Sequence, residues 1–322
     1  MTVTANTLPI SAVIPTRDRP AILSRMLASM GAQGTLPAEL IVIDGSSDSA
    51  TKDTVSHFAG EVEERDCRVI WQAASKLGAA VQRNQGVALA TQPVIAFFDD
   101  DILFEHDCLP RLWRGLQSDP RMGGVNAMIT NQRYLPPGFA SRSVFRLLAG
   151  RSENSYAGRL LGPAINLLPE DRDDLPEVVP VDWLNLGATL YRREALPQPV
   201  FRSFFAGYSL MEDVTLSVSV GKSWKLANVR TARIFHDSQP GAHKKDPVAL
   251  ARMELVNRHY VMTRVIERHR VRDYAKLALW ELFQLSVCAF QKRFGRQFWQ
   301  RLEGEILGVT DIVLAAKDRS SS

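Results

Sequence analysis

Pro93-Val94-Ile95-Ala96-Phe97-Phe98-Asp99-Asp100-Asp101 is an apolar run that ends abruptly in three consecutive carboxylates. Its β-branched and aromatic residues show no polar alternation, which predicts a strand buried on both faces. Three acids at the end of such a strand repel one another, and their ionised forms are costly to desolvate without a counter-cation. A divalent metal would relieve that cost. Hard oxygen donors suit Mg²⁺ or Mn²⁺, which complete their shells with water and substrate phosphate. A solvated turn is the other reading, since Asp favours turns and helix caps for local reasons.

Working outward, the first two-thirds of the chain alternate strand and helix patterns, which predicts a layered α/β sheet. Strands are expected at 10–15, 39–43, 68–71 and 93–98. A helix opens at Pro20, where Ile22, Leu23, Met26, Leu27 and Met30 recur at helical spacing, and others are expected at 51–58, 79–89 and 109–116. Ligands of open α/β sheets sit beyond the carboxyl ends of the strands. Three such ends carry Thr16-Arg17-Asp18, Asp44-Gly45-Ser46 and Asp99-Asp100-Asp101. Carboxylates can accept base N–H or ribose hydroxyl hydrogens, and glycine admits a ligand to the backbone. Each end alone is also what an ordinary turn prefers.

The 322 residues, 45% hydrophobic and 23% charged, make one large or two modest globular domains. Cys67, Cys108 and Cys288 are too few and scattered for a disulfide framework or a zinc cluster, which fits a reducing cytosol. The polar stretch 1–9 shows no signal peptide. The formal charge is only +4, yet residues 252–301 hold eleven Lys or Arg against four acids, a local excess of seven. Within that helical third, 277–290 is apolar apart from Glu281, Gln284 and Ser286, and is flanked by Lys276, Lys292, Arg293 and Arg296. Such a run is shorter than the ~20 residues needed to span a bilayer. It suits a helix lying on an anionic membrane, or equally one packed on the protein or in a dimer seam.

The order of motifs resembles the family 2 glycosyltransferases, nucleotide-sugar enzymes of the GT-A fold. The resemblance is carried by Ile14-Pro15-Thr16-Arg17-Asp18-Arg19-Pro20, Val42-Ile43-Asp44-Gly45-Ser46-Ser47-Asp48, Gly78, Arg83-Asn84-Gln85-Gly86 and Asp99-Asp100-Asp101. Gly187, Arg192-Arg193-Glu194 and Met211-Glu212-Asp213 complete it, so that it covers about residues 9–236. It implies a GT-A mixed sheet with flanking helices over 1–240 and a helical, basic extension over 241–322. Asp44 is then the carboxylate for the nucleotide base, with Thr16 and Arg19 near base or ribose. Many relatives carry two acids before the glycine of that motif, whereas here Ile43 precedes Asp44. Arg83 and Asn84 match helix positions that hold the nucleotide. Asp99 and Asp101 match the outer acids of the Asp-x-Asp motif, and Asp101 is the first choice for metal ligation. Asp213 corresponds to the general base, with Glu212 supporting the acceptor. His236 falls where relatives place a metal- or phosphate-contacting histidine.

By this resemblance the chain is an inverting, Mg²⁺- or Mn²⁺-dependent transferase of bacterial, non-processive type. It would move a sugar from a nucleotide-diphosphate donor to a lipid-linked or polysaccharide-precursor acceptor, in the cytoplasm or peripherally on the inner face of the membrane. The Gln-x-x-Arg-Trp motif of processive synthases is absent, so one or a few sugars are expected per acceptor. A second copy of the chain and an anionic membrane surface are candidate partners; nucleic acid is not expected. Glu212-Asp213 also suits a helix N-terminus, a lone His236 suits packing or surface, and Trp183 suits the core better than a sugar face. The stretch 132–180, rich in proline and holding the acidic cluster 170–174, predicts irregular connections. Rival functions are a haloacid-dehalogenase-like phosphatase, whose motif also follows a strand, and a non-catalytic membrane- or nucleic-acid-binding protein with a decayed transferase domain.

Overall fold

A computed structural model describes residues 7–205, 209–238, 246–290 and 295–320. It divides into two compact units, one made of 1–134 with 168–239 and the other of 135–167 with 240–322. The domain boundary expected at 240/241 lies outside the described residues, as do Lys292 and Arg293.

The first unit contains β1 (Thr7–Thr16), α1 (Pro20–Gly31), β2 (Leu36–Asp44), α2 (Ala50–Glu61), β3 (Arg68–Ala73), α3 (Ala79–Leu89) and β4 (Val94–Phe98). The chain continues through β5 (Ile102–Phe104), α4 (Cys108–Gln117) and β6 (Met122–Ile129). After an excursion into the second unit, the first is completed by β9 (Val178–Pro180), β10 (Ala188–Arg192), α6 (Glu212–Gly221) and β11 (Lys225–His236). The sheet order is β3-β2-β1-β4-β10-β6-β11-β5, with β9 also paired to β11. Strands β3, β2, β1 and β4 run parallel, and β10 is antiparallel to both β4 and β6.

This topology places the acids. Thr16 pairs with Asp44 at the ends of β1 and β2, and Val13 pairs with Phe97, so all three parallel strands finish at one edge of the sheet. Strand β4 is buried throughout, as its unbroken apolar run requires. Phe97 makes edge contacts with Tyr191 and Phe201, while Phe98 stacks edgewise on Phe104 at 5.0 Å. The run turns polar only at Asp99, whose N–H donates to the Gly187 carbonyl at 3.0 Å. Helix α3 lies hard against β1, since a Cβ on Gly86 would sit 2.3 Å from Val13 Cγ1. Side-chain bulk is therefore excluded where the sequence carries its Arg-Asn-Gln-Gly motif.

The second unit contains α5 (Phe139–Ala149), the paired β7 (Leu160–Leu161) and β8 (Ile165–Asn166), and helices α7 (Pro247–Tyr260), α8 (Val271–Phe290) and α9 (Arg296–Ser320). The stretch 132–180 is not simply irregular, as its prolines predict: Phe145, Leu148, Tyr156, Leu161 and Ile165 form a cluster with Trp280 and Phe283 of α8. Helix α7 passes into a π-helical turn over 261–265, and Glu267 takes the left-handed conformation before α8 begins. The apolar face of α8 is largely taken by protein, since Leu277, Trp280 and Leu285 are buried. Glu281, buried beside them, faces Arg258 at 3.4 Å and accepts a hydrogen bond from Arg301 at 3.2 Å. No described helix is long and apolar enough to cross a membrane. The acidic cluster is an exposed loop whose Asp171 holds Arg230 and Arg233 by ion pairs.

Gly86→Val should destabilise the protein by roughly 1–3 kcal/mol, because the new methyls collide with Val13 in a packed core. Urea denaturation of the variant against wild type measures this directly.

Candidate active site

Loop 99–101, between β4 and β5, splits its three carboxylates among different partners. Asp99 accepts a hydrogen bond from Arg83 Nη2 at 2.6 Å. Asp100 turns inward, accepting from the Thr16 hydroxyl at 2.7 Å and from Arg19 at 3.3 Å. Burial pushes its carboxyl up to about 6, against the pull of Thr16 and Arg19, with Asp101 and Asp99 adding to the rise. Asp101 lies 3.1 Å from His236 Nε2 and 3.7 Å from Arg19.

The end of β11 delivers His236. Antiparallel pairing matches His236 with Ile102, and Asp237 N–H donates to the Asp101 carbonyl at 2.8 Å. Asn131 clamps the same residue by donating to its carbonyl and accepting from its N–H. His236 is thus the last residue of β11. One ligand atom from each of Asp99, Asp101 and His236 falls within 4.8 Å of the others. Two carboxylates and an imidazole are a donor set that fits Mn²⁺ or Mg²⁺. The Gln132 amide contacts His236 Nδ1 at 2.8 Å.

Helix α6 begins at Glu212, preceded by Met211 at φ 72°, a left-handed cap that a residue with a side chain adopts only at a cost. Both acids of the Glu-Asp pair lie in its first turn, where the helix dipole favours them. Glu212 is buried and accepts from Arg83 Nη1 at 2.6 Å. Burial raises its carboxyl and the guanidinium opposes the rise. Asp213 is pushed up to about 6 by burial, and its Oδ1 accepts from Val214 N–H at 2.7 Å.

Asp44, buried at the end of β2, accepts from Ser46 N–H at 2.8 Å and from Trp71 Nε1 at 3.0 Å. Gln82, on α3, donates to the carbonyls of Thr16 and Ile43 and so ties the ends of β1 and β2 together. The residues read from sequence are therefore placed in three ways. Asp99, Asp101 and His236 converge on a metal-sized triangle. Thr16 and Arg19 converge on Asp100, the middle acid, which no sequence signal singles out. Arg83 points between Asp99 and Glu212, while Asn84 spends both ends of its amide on the backbone of Phe201 at 2.7 and 2.9 Å. Trp71 and Gln132 were also missed; Trp71 could have been noticed as an aromatic beside the Asp44 strand, but nothing marked Gln132. Trp183 is buried, as expected.

A curled α/β sheet of this strand order, with acids at the carboxyl ends of its parallel strands, is the architecture of the GT-A nucleotide-sugar transferases. Residues 11–143 match the model of "Glycosyl transferase family 2". The chain is 35% identical over 129 residues to a PGL/p-HBAD biosynthesis glycosyltransferase of Mycobacterium bovis (BCG), covering 38% of this chain and 49% of that one. It is 33% identical over 96 residues to validoxylamine A glucosyltransferase of Streptomyces hygroscopicus subsp. limoneus, covering 29% of this chain and 20% of that one. The chain thus spans between a fifth and a half of the length of these curated relatives. Among solved structures, it shares its fold with the mannosyltransferase PcManGT of Pyrobaculum calidifontis in complex with GDP-Man and Mn²⁺. The TM-score is 0.54 at 15% identity, over 96% of this chain and 80% of that one.

Two outcomes check this geometry. Arg83→Met should cost roughly 3–5 kcal/mol, because it leaves two carboxylates facing one another without their shared cation; thermal and urea unfolding read the loss. Asp101→Ala should abolish Mn²⁺ binding, and His236→Ala should weaken it, each measured by calorimetric titration of the purified protein.

Proposed function

We propose that the chain is a metal-dependent, inverting glycosyltransferase that moves a sugar from a nucleotide-diphosphate donor to an acceptor hydroxyl. The observation that carries this reading is the convergence of Asp99, Asp101 and His236 at the edge where β1, β2 and β4 end. Alongside them stand Glu212 and Asp213, held on their own helix and joined to Asp99 through Arg83. The catalytic role falls to the first unit, with 241–322 as an extension. The presence of GDP-Man and Mn²⁺ on the similarly folded mannosyltransferase supports a nucleotide sugar and a divalent ion.

In this reading Asp44, with Trp71 beside it, and Thr16 and Arg19 with Asp100 receive the base and ribose. Asp99, Asp101 and His236 hold the cation, which supplies charge stabilisation for the departing diphosphate. Asp213 takes the proton from the acceptor hydroxyl as that oxygen attacks the anomeric carbon from the face opposite the leaving group. One displacement with one such base gives inversion. Glu212, fixed by Arg83, lines the acceptor side. A phosphatase of the haloacid-dehalogenase type would need Asp99 as a free nucleophile, whereas Asp99 is tied to Arg83.

The pH dependence has a defined sign. With its carboxyl raised to about 6, Asp213 is protonated and idle at pH 5 and ionised at pH 7. Turnover should therefore climb through about pH 6, and Asp213→Asn should lose at least ~100-fold and that limb of the profile. The decisive experiment is thermal stabilisation by a panel of nucleoside diphosphates and nucleotide sugars, with and without Mn²⁺. A ligand bound only by the native state raises its stability as ln(1 + [L]/Kd). A metal-dependent shift with one nucleotide is the expected result; no shift with any of them in folded protein would overturn the reading.

A further inference from the structure

Helix α9 packs one face within its unit and leaves another bare. On the packed face, a Cβ added to Gly304 would lie 2.5 Å from the Val248 carbonyl oxygen, and one on Gly308 would lie 3.2 Å from that of Arg252. The backbones of α9 and α7 therefore approach closely, and Arg252 forks onto Asp311 at 2.6 and 2.7 Å to fix the pair. At about 100° per residue, the positions 303, 306, 307, 310, 313, 314 and 317 all fall in one stripe about 120° wide, on the side away from these glycines. Its large apolar members are open to solvent: Ile306 at 58%, Leu307 at 38%, Val313 at 47% and Leu314 at 53%.

The stripe has the same chemistry read from either end. Thr310 is its midpoint. Three residues away on each side stand Leu307 and Val313, four away Ile306 and Leu314, and seven away Glu303 and Lys317. A surface that binds a copy of itself about a two-fold axis must be complementary to its own reverse. This one is, in charge as well as in shape class: antiparallel pairing centred on Thr310 sets apolar against apolar and sets each Glu303 against a Lys317.

We propose that α9 pairs antiparallel with α9 of a second copy of this chain, about a two-fold axis at Thr310. The contact runs over fifteen residues, about 21 Å of helix. The charge pattern is what selects this occupant over a lipid surface. Residues 296–320 hold four basic and four acidic side chains, whereas a helix that lies on anionic lipid carries a polar face rich in Lys and Arg. The basic residues that make the excess over 252–301 all precede the stripe, which begins at Glu303.

The test is sedimentation velocity of the full chain over a concentration series, and it needs no transferase activity, so it is independent of the proposed reaction. A reversible dimer is expected. Ile306→Glu combined with Leu314→Glu should give a monomer with unchanged circular dichroism, since both side chains are already in solvent. Glu303→Lys alone, or Lys317→Glu alone, places like charges together twice per dimer and should raise the dissociation constant by on the order of tenfold. The double variant Glu303→Lys/Lys317→Glu should restore it. A wild type that stays monomeric throughout the series overturns the proposal. So does a dimer that ignores these substitutions, or a double variant that fails to recover. Flotation of a monomeric wild type with phosphatidylglycerol vesicles, lost in Ile306→Glu/Leu314→Glu, would assign the stripe to lipid and overturn it equally.

Discussion

Five carboxylates gathered at one end of the first unit, Asp99, Asp100, Asp101, Glu212 and Asp213, set the constraint around which the rest is arranged. Buried or half-buried acids this close cannot all ionise in a low-dielectric setting without cations among them. Arg83 is the protein's principal answer. Its two terminal nitrogens each make a 2.6 Å contact, one to Asp99 from the β4 loop and one to Glu212 from α6. Only a planar fork can serve two carboxylates at once in fixed directions; a lysine ammonium at that position would reach one. The requirement propagates to packing. To carry Arg83 inward, α3 must sit close to β1, and Gly86 is the residue whose missing side chain permits it. Arg19 does the same work on the other flank, sharing itself between Asp100 and Asp101.

Much of this was legible because it is periodic or punctuated. Continuous β-branched runs announced β1, β2 and β4, and the 79–89 helix was read to the residue, since Gly78 and Ala90 bound a clear pattern. The metal triangle was partly legible: adjacent acids after a buried strand are visible locally, but His236 lies 135 residues from Asp101 and meets it only because β11 pairs antiparallel with β5. What could not be read was direction. Sequence shows that Asp99, Asp100 and Asp101 are consecutive, not that the middle one turns inward to Thr16. It shows Arg83 and Asn84 side by side on a helix, not that one enters the acid cluster while the other stitches down the Phe201 backbone. In the second unit the failure was of a different kind. Residues 139–149 follow Pro136-Pro137 within a stretch whose prolines predict irregular connections, yet they form a helix as long as 79–89, with Phe145 and Leu148 in the cluster that holds Trp280 of α8.

The second unit also supplies the comparison that gives the site its meaning. It has its own buried ionic cluster, with Glu281, Glu254 and Glu305 around Arg258 and Arg301. There three carboxylates meet two guanidinium groups, and burial raises Glu305 to about 7, so that near neutrality one acid can carry a proton and the cluster balances itself. Such a network fixes α7, α8 and α9 to one another and asks nothing of solvent or ligand. In the first unit the corresponding ratio is five carboxylates to Arg83 and Arg19, and even with a proton on Glu212, whose carboxyl burial raises to about 8, four carboxylates face two guanidinium groups at neutral pH. Burial lifts Asp100 and Asp213 only to about 6. A structural network that is short of positive charge by this margin would be a poor way to hold a fold together. In the proposed reading of this site the same shortage is functional, because a divalent cation and an anionic substrate would arrive as the missing charge.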